Sequence, residues 1–445
     1  MKGIPLRLAM NAGARFLMLV LLTVLGLGLV LAVTGCSVIR ITYATPSTRV
    51  SQVPSLSANG RRIAFSSDSD FLNQGIVTGQ FEIWLYDTTT LTYTRITTAS
   101  ASNRGSYEPS LSAEGTKVAF KSDSDFLSQG IQDNQYEIWM YDLTTRQYTR
   151  VTISTGSADP TLRRSEYPSL SENGTRVAFD SDSDILSQGI AEGQFEIWVY
   201  DLTTMRYTRV TTATGGGGVR YSRDPSLSAD GARVAFESSS NFPGHTVTFG
   251  NFEIFVCDLA TMQYTRVTTA TGSGQRQSLE ASLDADGTRV AFRSDSSFPG
   301  HTIPDDQNEI WVHDIPTLKY TRVTTATGAG FRFSERPSLN ADGTRVAFDS
   351  DSDLLNTGTI TDNQFEVWLY NTSAMTYTLL TQSSDTTTPS NRNSRYPSIS
   401  ANGIWVAFQS DSDFLSQGIP QGQYEIWLYD PLQNKVYLPV VLRVS

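Results

Sequence analysis

The stretch from Arg163 to Thr212 recurs seven times with small edits and takes up nearly all of the chain after residue 48. One glycine marks its first turn in every copy: Gly60, Gly115, Gly174, Gly231, Gly287, Gly343 and Gly403, a period of 55 to 60 residues. A unit of that size cannot bury a hydrophobic face alone, so copies must stack on one another. A chain of 445 residues would otherwise suggest two or three domains, but seven equal units argue for one closed body.

Each copy holds four strand-like pieces. In the third copy they are Pro168 to Ser171, Arg176 to Phe179, Glu196 to Tyr200 and Tyr207 to Thr211. An Asn-Gly, Asp-Gly or Glu-Gly pair after the first piece signals a tight hairpin turn. Val-Ala-Phe and Ile-Trp-Val-Tyr are unbroken apolar runs, as expected where both sheet faces are covered. The fourth piece alternates with threonine and arginine, which suits an outer edge. Outside the first 35 residues no long helix-period stretch appears, so the fold class is all-β. Four-stranded antiparallel blades repeated around an axis make a β-propeller, here with seven blades. Copies begin near residues 49, 104, 163, 220, 276, 332 and 392. The last has its own candidate fourth strand in Lys435 to Val441, so that each copy would build one blade and blade 7 would close on blade 1 by packing. A closing strand from Ile41 to Ala44 is the weaker alternative, and residues 36–48 otherwise read as a tether. Short turns follow pieces 1 and 3, and long loops follow pieces 2 and 4. One face is therefore plain and the other carries every long loop, where binding usually resides.

The run Pro-Ser-Leu-Ser-x-Asp-Gly-x-x-Val-Ala-Phe, with Glu-Ile-Trp-Val-Tyr-Asp and Thr-Arg-Val-Thr after it, resembles the WD40-like repeat of TolB-type propellers. The resemblance covers residues 49 to 445. It implies an envelope propeller that binds partners. The N-terminal α/β domain of TolB has no room here, because the repeats start 13 residues after Cys36.

The leader has Lys2, Arg7 and Arg15 ahead of an apolar run from Phe16 to Val33, then Val33-Thr34-Gly35-Cys36. The basic and apolar parts are those of a secretory signal peptide. The last four residues resemble a bacterial lipobox, which makes Cys36 the lipidation site; an uncleaved membrane anchor is the alternative. Either reading puts the body in the bacterial cell envelope, facing periplasm or exterior. The net charge is −11, and without residues 1–35 it is −11 − 3 = −14. So acidic a body repels nucleic acid and leaves an envelope protein or a glycan as the expected partner. With Cys36 lipidated, Cys257 stands alone and no intrachain disulfide forms.

Residues present in every copy belong first to the scaffold. Arginine precedes the first piece as Arg49, Arg104, Arg163, Arg220, Arg276, Arg332 and Arg392. Glutamate opens the third as Glu82, Glu137, Glu196, Glu253, Glu309, Glu366 and Glu425. Both fall on the long-loop rim, so the expectation is a ring of Arg–Glu pairs, within or between blades. A serine two places after each arginine is expected to fix the loop by backbone hydrogen bonds. The Ser-Asp-Ser-Asp loop supplies Asp68 and Asp70, Asp123 and Asp125, Asp182 and Asp184, Asp351 and Asp353, and Asp411 and Asp413. Oxygen clusters of this kind can hold calcium. The reading that explains more is an N-cap for one helical turn stopped by glycine, so no cofactor is expected and calcium is the alternative.

The tryptophans repeat at one strand position and read as core. The aromatic before six of the seven glutamates (Phe81 and Phe195, for example) lies nearer the rim, where it packs or stacks on a glycan. Copies 4 and 5 depart most from the pattern, with His245 and His301 at matching places. These two, with Phe331 and Phe333, form the candidate binding rim. No Gly-x-Ser-x-Gly, His-Glu-x-x-His or phosphate-binding glycine loop is present. The expected function is a non-catalytic protein- or glycan-binding module. The alternative is a glycan hydrolase with paired carboxylates, which would gather acids from unlike blades around the axis.

Overall fold

The computed structural model describes residues 38–44 and 48–432, apart from residues 156, 158, 160–161, 217, 272–273, 305–306, 327–331, 357, 359, 361–362 and 384–391. Seven four-stranded antiparallel sheets form a seven-bladed β-propeller. Blade 1 shows the plan: β2 (Ser51–Leu56), β3 (Arg62–Ser67), β4 (Glu82–Asp87) and β5 (Thr92–Arg95), paired in that order from the axis outward. The hydrophobic core lies between blades. Each interface packs the Val-Ala-Phe and Ile-Trp runs of neighbours, as Phe65 and Trp84 of blade 1 meet Ala407, Ile426 and Leu428 of blade 7.

Blade 7 differs from expectation. Its inner strands are β26 (Ser394–Ile399), β27 (Val406–Ser410) and β28 (Glu425–Tyr429), but its outer strand is β1 (Val38–Arg40), from the other end of the described chain. Val38 faces Tyr429 and Arg40 faces Trp427. The supposed tether thus closes the ring, and Ile41 to Ala44 extend the closure. Lys435 to Val441 lie outside the described residues, and the edge assigned to them is already filled. The reason is chemical identity: Arg40-Ile41-Thr42 repeats the Arg95-Ile96-Thr97 of blade 1. Arg40 and Thr42 bond the Glu425 carboxylate as Arg95 and Thr97 bond Glu82.

Polar ties join the blades. A serine in each innermost strand accepts a backbone N–H from the leucine or isoleucine of the next blade, as Ser55 does from Leu111 at 3.0 Å and Ser398 from Leu56 at 3.0 Å. The turn glycine has a steric reason. Gly115 sits at φ +65°, and a Cβ there would stand 2.7 Å from the Arg62 stem of the preceding blade, whose guanidinium donates to Gly115 O. At the short-turn face, backbone bonds between adjacent turns run round the ring, closing with Ala401 N–H to Ala58 O at 3.0 Å. They narrow that end of the axis.

Candidate functional site in the central channel

The innermost strands carry the feature that builds the site. In β2 the register slips between Gln52 and Ser55, a β-bulge that turns the third residue toward the axis. The same bulge occurs in every blade. Val53, Glu108, Tyr167, Asp224, Glu280, Arg336 and Tyr396 all have φ between 50° and 58°. That region is unfavourable for side chains other than glycine, at about 1–2 kcal/mol each. All seven line one cavity of about 620 Å³ on the axis. They lie near the strand starts, hence toward the long-loop face.

The backbone is sevenfold and the side chains are not. Adding the neighbouring channel residues, blade 1 supplies Gln52, Val53 and Ser66, all uncharged. Blade 2 supplies Glu108 and Lys121, blade 3 Glu166, Tyr167 and Asp180, and blade 4 Arg223, Asp224 and Glu237. Blades 5 to 7 add Glu280, Arg293, Glu335, Arg336, Asp349, Arg395 and Tyr396. Lys121 Nζ lies 2.7 Å from Glu108 and 3.4 Å from Glu166. Arg293 lies 3.0 Å from Glu280, and Arg336 lies 2.8 Å from Asp349 and 3.0 Å from Glu335. Burial alone would push the Lys121 ammonium down, but Glu108 and Glu166 outweigh it and hold the group above its ordinary value. Lys121→Met is therefore expected to cost about 3 kcal/mol in urea unfolding, because it strands two partly buried carboxylates. Adding Glu108→Gln should recover part of the loss.

The bulge N–H groups need acceptors, and the preceding blade supplies them. Asp224 N–H donates to Asp180 at 3.1 Å, Glu280 N–H to Glu237 at 3.0 Å and Val53 N–H to the Gln409 amide oxygen at 2.9 Å. Burial pushes Asp180 and Glu237 well above the carboxylate range. Burial, then Glu280 and Glu108, push Asp224 up to about 7. Burial also brings Asp349 to about 7 against the pull of Arg336.

The rim residues singled out from sequence have other partners. Arg49 donates to the carbonyls of Asp68 and Ile76, and its counterparts in the other copies donate likewise to the long loop after the second strand. The glutamates pair instead with the fourth-strand arginine, as Arg95–Glu82 at 2.6 Å, Arg150–Glu137 at 2.7 Å and Arg209–Glu196 at 3.0 Å. The expected pairing of Arg49, Arg104, Arg163, Arg220, Arg276, Arg332 and Arg392 with these glutamates is corrected accordingly. Hairpin register sets the outcome: Arg95 stands opposite Trp84, within reach of Glu82, while Arg49 enters from the inner strand. In blade 6 Leu379 replaces the arginine, and Glu366 relies on Thr381, Ser383 and Gln364. The serines pair with serines, Ser51 Oγ to Ser67 Oγ at 2.9 Å.

The loop aspartates accept backbone N–H groups. Asp68 takes Val50 and Gly79 at 2.8 Å each. Asp70 takes Gln74 at 2.7 Å, Gly75 at 2.8 Å and Ile76 at 3.3 Å. The loop is a turn and not the helical turn anticipated, because these bonds reach residues 4 to 6 ahead, where an N-cap reaches the second or third. Among the described residues no group of three or more His, Cys, Asp or Glu is placed to hold a metal. His245 and His301 pack on their own blades, 6.0 Å from Phe255 and 5.5 Å from Trp311. Phe333 donates its N–H to Asp351 at 2.7 Å; Phe331 and Cys36 lie outside the described residues. Cys257 is buried, which pushes its thiol up to about 12. The aromatics before the glutamates support the channel cations: Arg223 lies 4.5 Å over Phe195 and Arg395 3.8 Å over Phe365.

No known family and no curated protein matches the chain in sequence. Solved structures do match in shape. An oligogalacturonate lyase from Vibrio parahaemolyticus is 15% identical, covers 88% of this chain and 93% of its own, and gives a TM-score of 0.56. The β-propeller domain of the Trilobed protease from Pyrococcus furiosus, which has an open velcro topology, is 12% identical, with 91% and 100% covered and a TM-score of 0.53. TolB from Acinetobacter baumannii is 17% identical, with 86% and 80% covered and a TM-score of 0.40. At these identities the likeness concerns the propeller fold alone.

Proposed function

We propose that the chain is an exported, membrane-tethered propeller that works as a non-catalytic binding or assembly module. Its partner is an envelope protein or glycan, taken at the long-loop mouth of the central channel. One observation carries the reading: seven positions with one strained backbone geometry hold five different side chains, apolar, acidic, basic and aromatic, along one channel. A scaffold needs the geometry and has no use for the differences. A ligand without sevenfold symmetry does.

The leader fits this placement. β1 starts at the short-turn face, where Val38 faces Tyr429, and Cys36 precedes it by two residues. A lipid on Cys36 would hold the plain face toward the membrane and leave the channel mouth outward. The raised carboxyls at Asp224 and Asp349, with other acids nearby, favour a second reading, a hydrolase acting on glycans through paired carboxylates.

Val53→Trp would fill the channel from its uncharged side. In the full chain it is expected to weaken capture of the native membrane partner, or retention on a glycan array, at least tenfold with little change in melting temperature. Unchanged binding would place the site elsewhere. Turnover of an oligosaccharide panel that Asp224→Asn abolishes would replace the binding module with the hydrolase.

A further inference from the structure

The ring of channel charges follows a pattern with one exception. Glu108 and Glu166 share Lys121, Glu280 has Arg293, and Glu335 and Asp349 have Arg336. Around blade 4, Asp180 of blade 3 accepts the Asp224 N–H and Glu237 accepts the Glu280 N–H of blade 5, and among the described residues no basic nitrogen forms a salt bridge with Asp180, Asp224 or Glu237. The nearby Arg223 lies instead over the rings of Phe195 and Tyr221, at 4.5 and 4.6 Å.

These carboxyls also have unused hydrogen-bonding capacity. Asp180 is fully buried and directs one oxygen to the Asp224 N–H, while its Oδ1 has no partner. Asp224 and Glu237 line the cavity. A buried oxygen without a donor costs about 1–3 kcal/mol, and Asp180 stands directly behind the cavity wall, accepting the N–H of Asp224. Among the described residues no group of three His, Cys, Asp or Glu is placed to hold a metal ion. An ammonium or guanidinium, with three to five N–H donors, can reach carboxyl oxygens singly. The channel itself shows such an arrangement one blade away, where the Lys121 ammonium sits between two carboxylates with the rings of Tyr136 and Tyr167 at 5.5 and 5.9 Å.

We propose that the blade 4 sector of the channel, lined by Asp224 and Glu237 and backed by Asp180, receives an ammonium or guanidinium group carried by the ligand. This rests on the channel-mouth reading and specifies its ligand class as amine-bearing: a basic side chain of a partner protein or a free polyamine. Entry is from the long-loop side, because the turn-to-turn backbone bonds narrow the other end. The groups facing the sector are Glu108, Glu166, Glu280, Arg223 and Arg293. Burial and the neighbouring acids favour the protonated carboxyls while the sector is empty. A cation that binds Asp224 must then release its proton, so affinity should rise about tenfold per pH unit up to about pH 7 and level off above it.

Isothermal titration of the full chain in detergent tests this with 1,5-diaminopentane, Nα-acetyl-lysine amide and the uncharged 1,5-pentanediol. Saturable binding of either amine is expected, with none for the diol. Asp224→Asn should weaken it at least tenfold. Glu237→Gln is the second variant, and Gln409 already shows that an amide oxygen serves the same backbone bond. Binding of the diamine would identify a free amine as sufficient, and binding of the lysine amide alone would identify a basic side chain. Equal binding of the diol, no amine binding at pH 8, or full affinity in both variants would overturn the proposal. If amines fail while Val53→Trp still blocks the native partner, the ammonium site falls and the channel-mouth reading stands.

Discussion

Deleting residues 38–44 is expected to abolish cooperative unfolding of the ring or lower its melting temperature by more than about 10 °C, read by circular dichroism. The segment gives β28 its outer pairing partner. It also supplies Arg40, Thr42 and the Ala44 N–H to the fully buried Glu425 carboxylate, and the Ile41 carbonyl to Tyr93 of blade 1. Leaving a buried carboxylate without its cation costs about 3–5 kcal/mol on its own, a large fraction of the 5–15 kcal/mol typical of a folded domain. Deleting residues 435–441 should shift the melting temperature by no more than about 3 °C, because β1 already fills the edge they would need. The opposite ranking of the two deletions would show that the C-terminal segment closes the ring.

This closure is legible in the sequence, where the strand from Ile41 to Ala44 stands as the weaker alternative. Arg40-Ile41-Thr42-x-Ala44 matches Arg95-Ile96-Thr97-x-Ala99 residue for residue, but it stands ahead of the first complete copy, where a search for whole repeats does not look. The blade plan was legible for the opposite reason. Turn glycines, apolar runs and the polar edge strand follow from local backbone chemistry and recur seven times, so each copy checks the others. The Arg49–Glu82 pairing failed because sharing a rim does not determine register. Arg95 reaches Glu82 through hairpin pairing, and its counterparts at Arg150, Arg209, Arg266 and Arg322 recur nearly as regularly as the glutamate itself. The channel was hidden by the bulge. Regular alternation gives no warning that Asp224 or Arg336 turns to the axis, and in the sequence the proline after most bulges marks only the start of a strand. Copies vary in the long loops around His245 and His301, and the inner strands vary in charge from blade to blade as well.

The channel acids should also make this acidic protein less stable as pH rises from 5 to 8, by about 1–3 kcal/mol in urea unfolding. The unfolded carboxyls titrate near 4, whereas Asp224 in the folded ring is pushed up to about 7, first by burial and then by Glu280 and Glu108. Asp180 and Glu237 are displaced in the same direction by burial. Below about pH 4 both states hold these protons and the groups do not discriminate between them. From about 4 to about 7 the folded state keeps protons that the unfolded state has lost, so stability falls with each step in pH and the Asp224 loss is complete above that range. Asp224 lines the open channel, and solvent screening there keeps the expected total below the full linkage value of its shift. Asp70 acts in the other direction: N–H bonds from Gln74, Gly75 and Ile76 outweigh its burial and hold its carboxyl low, so its contribution is lost only as pH drops below the unfolded value. Asp180→Asn with Glu237→Gln should flatten the profile and raise stability at pH 8, while the amide oxygens keep the bulge N–H bonds. The same pair should bind amines at least tenfold more weakly. A variant more stable at pH 8 yet deficient in the ligand would identify these carboxyls as retained for binding at the expense of the fold. A profile that stays flat or rises between pH 5 and 8 in the unsubstituted chain would show that the acids are already matched by cations or solvent, and would remove the electrostatic reason for an amine to enter.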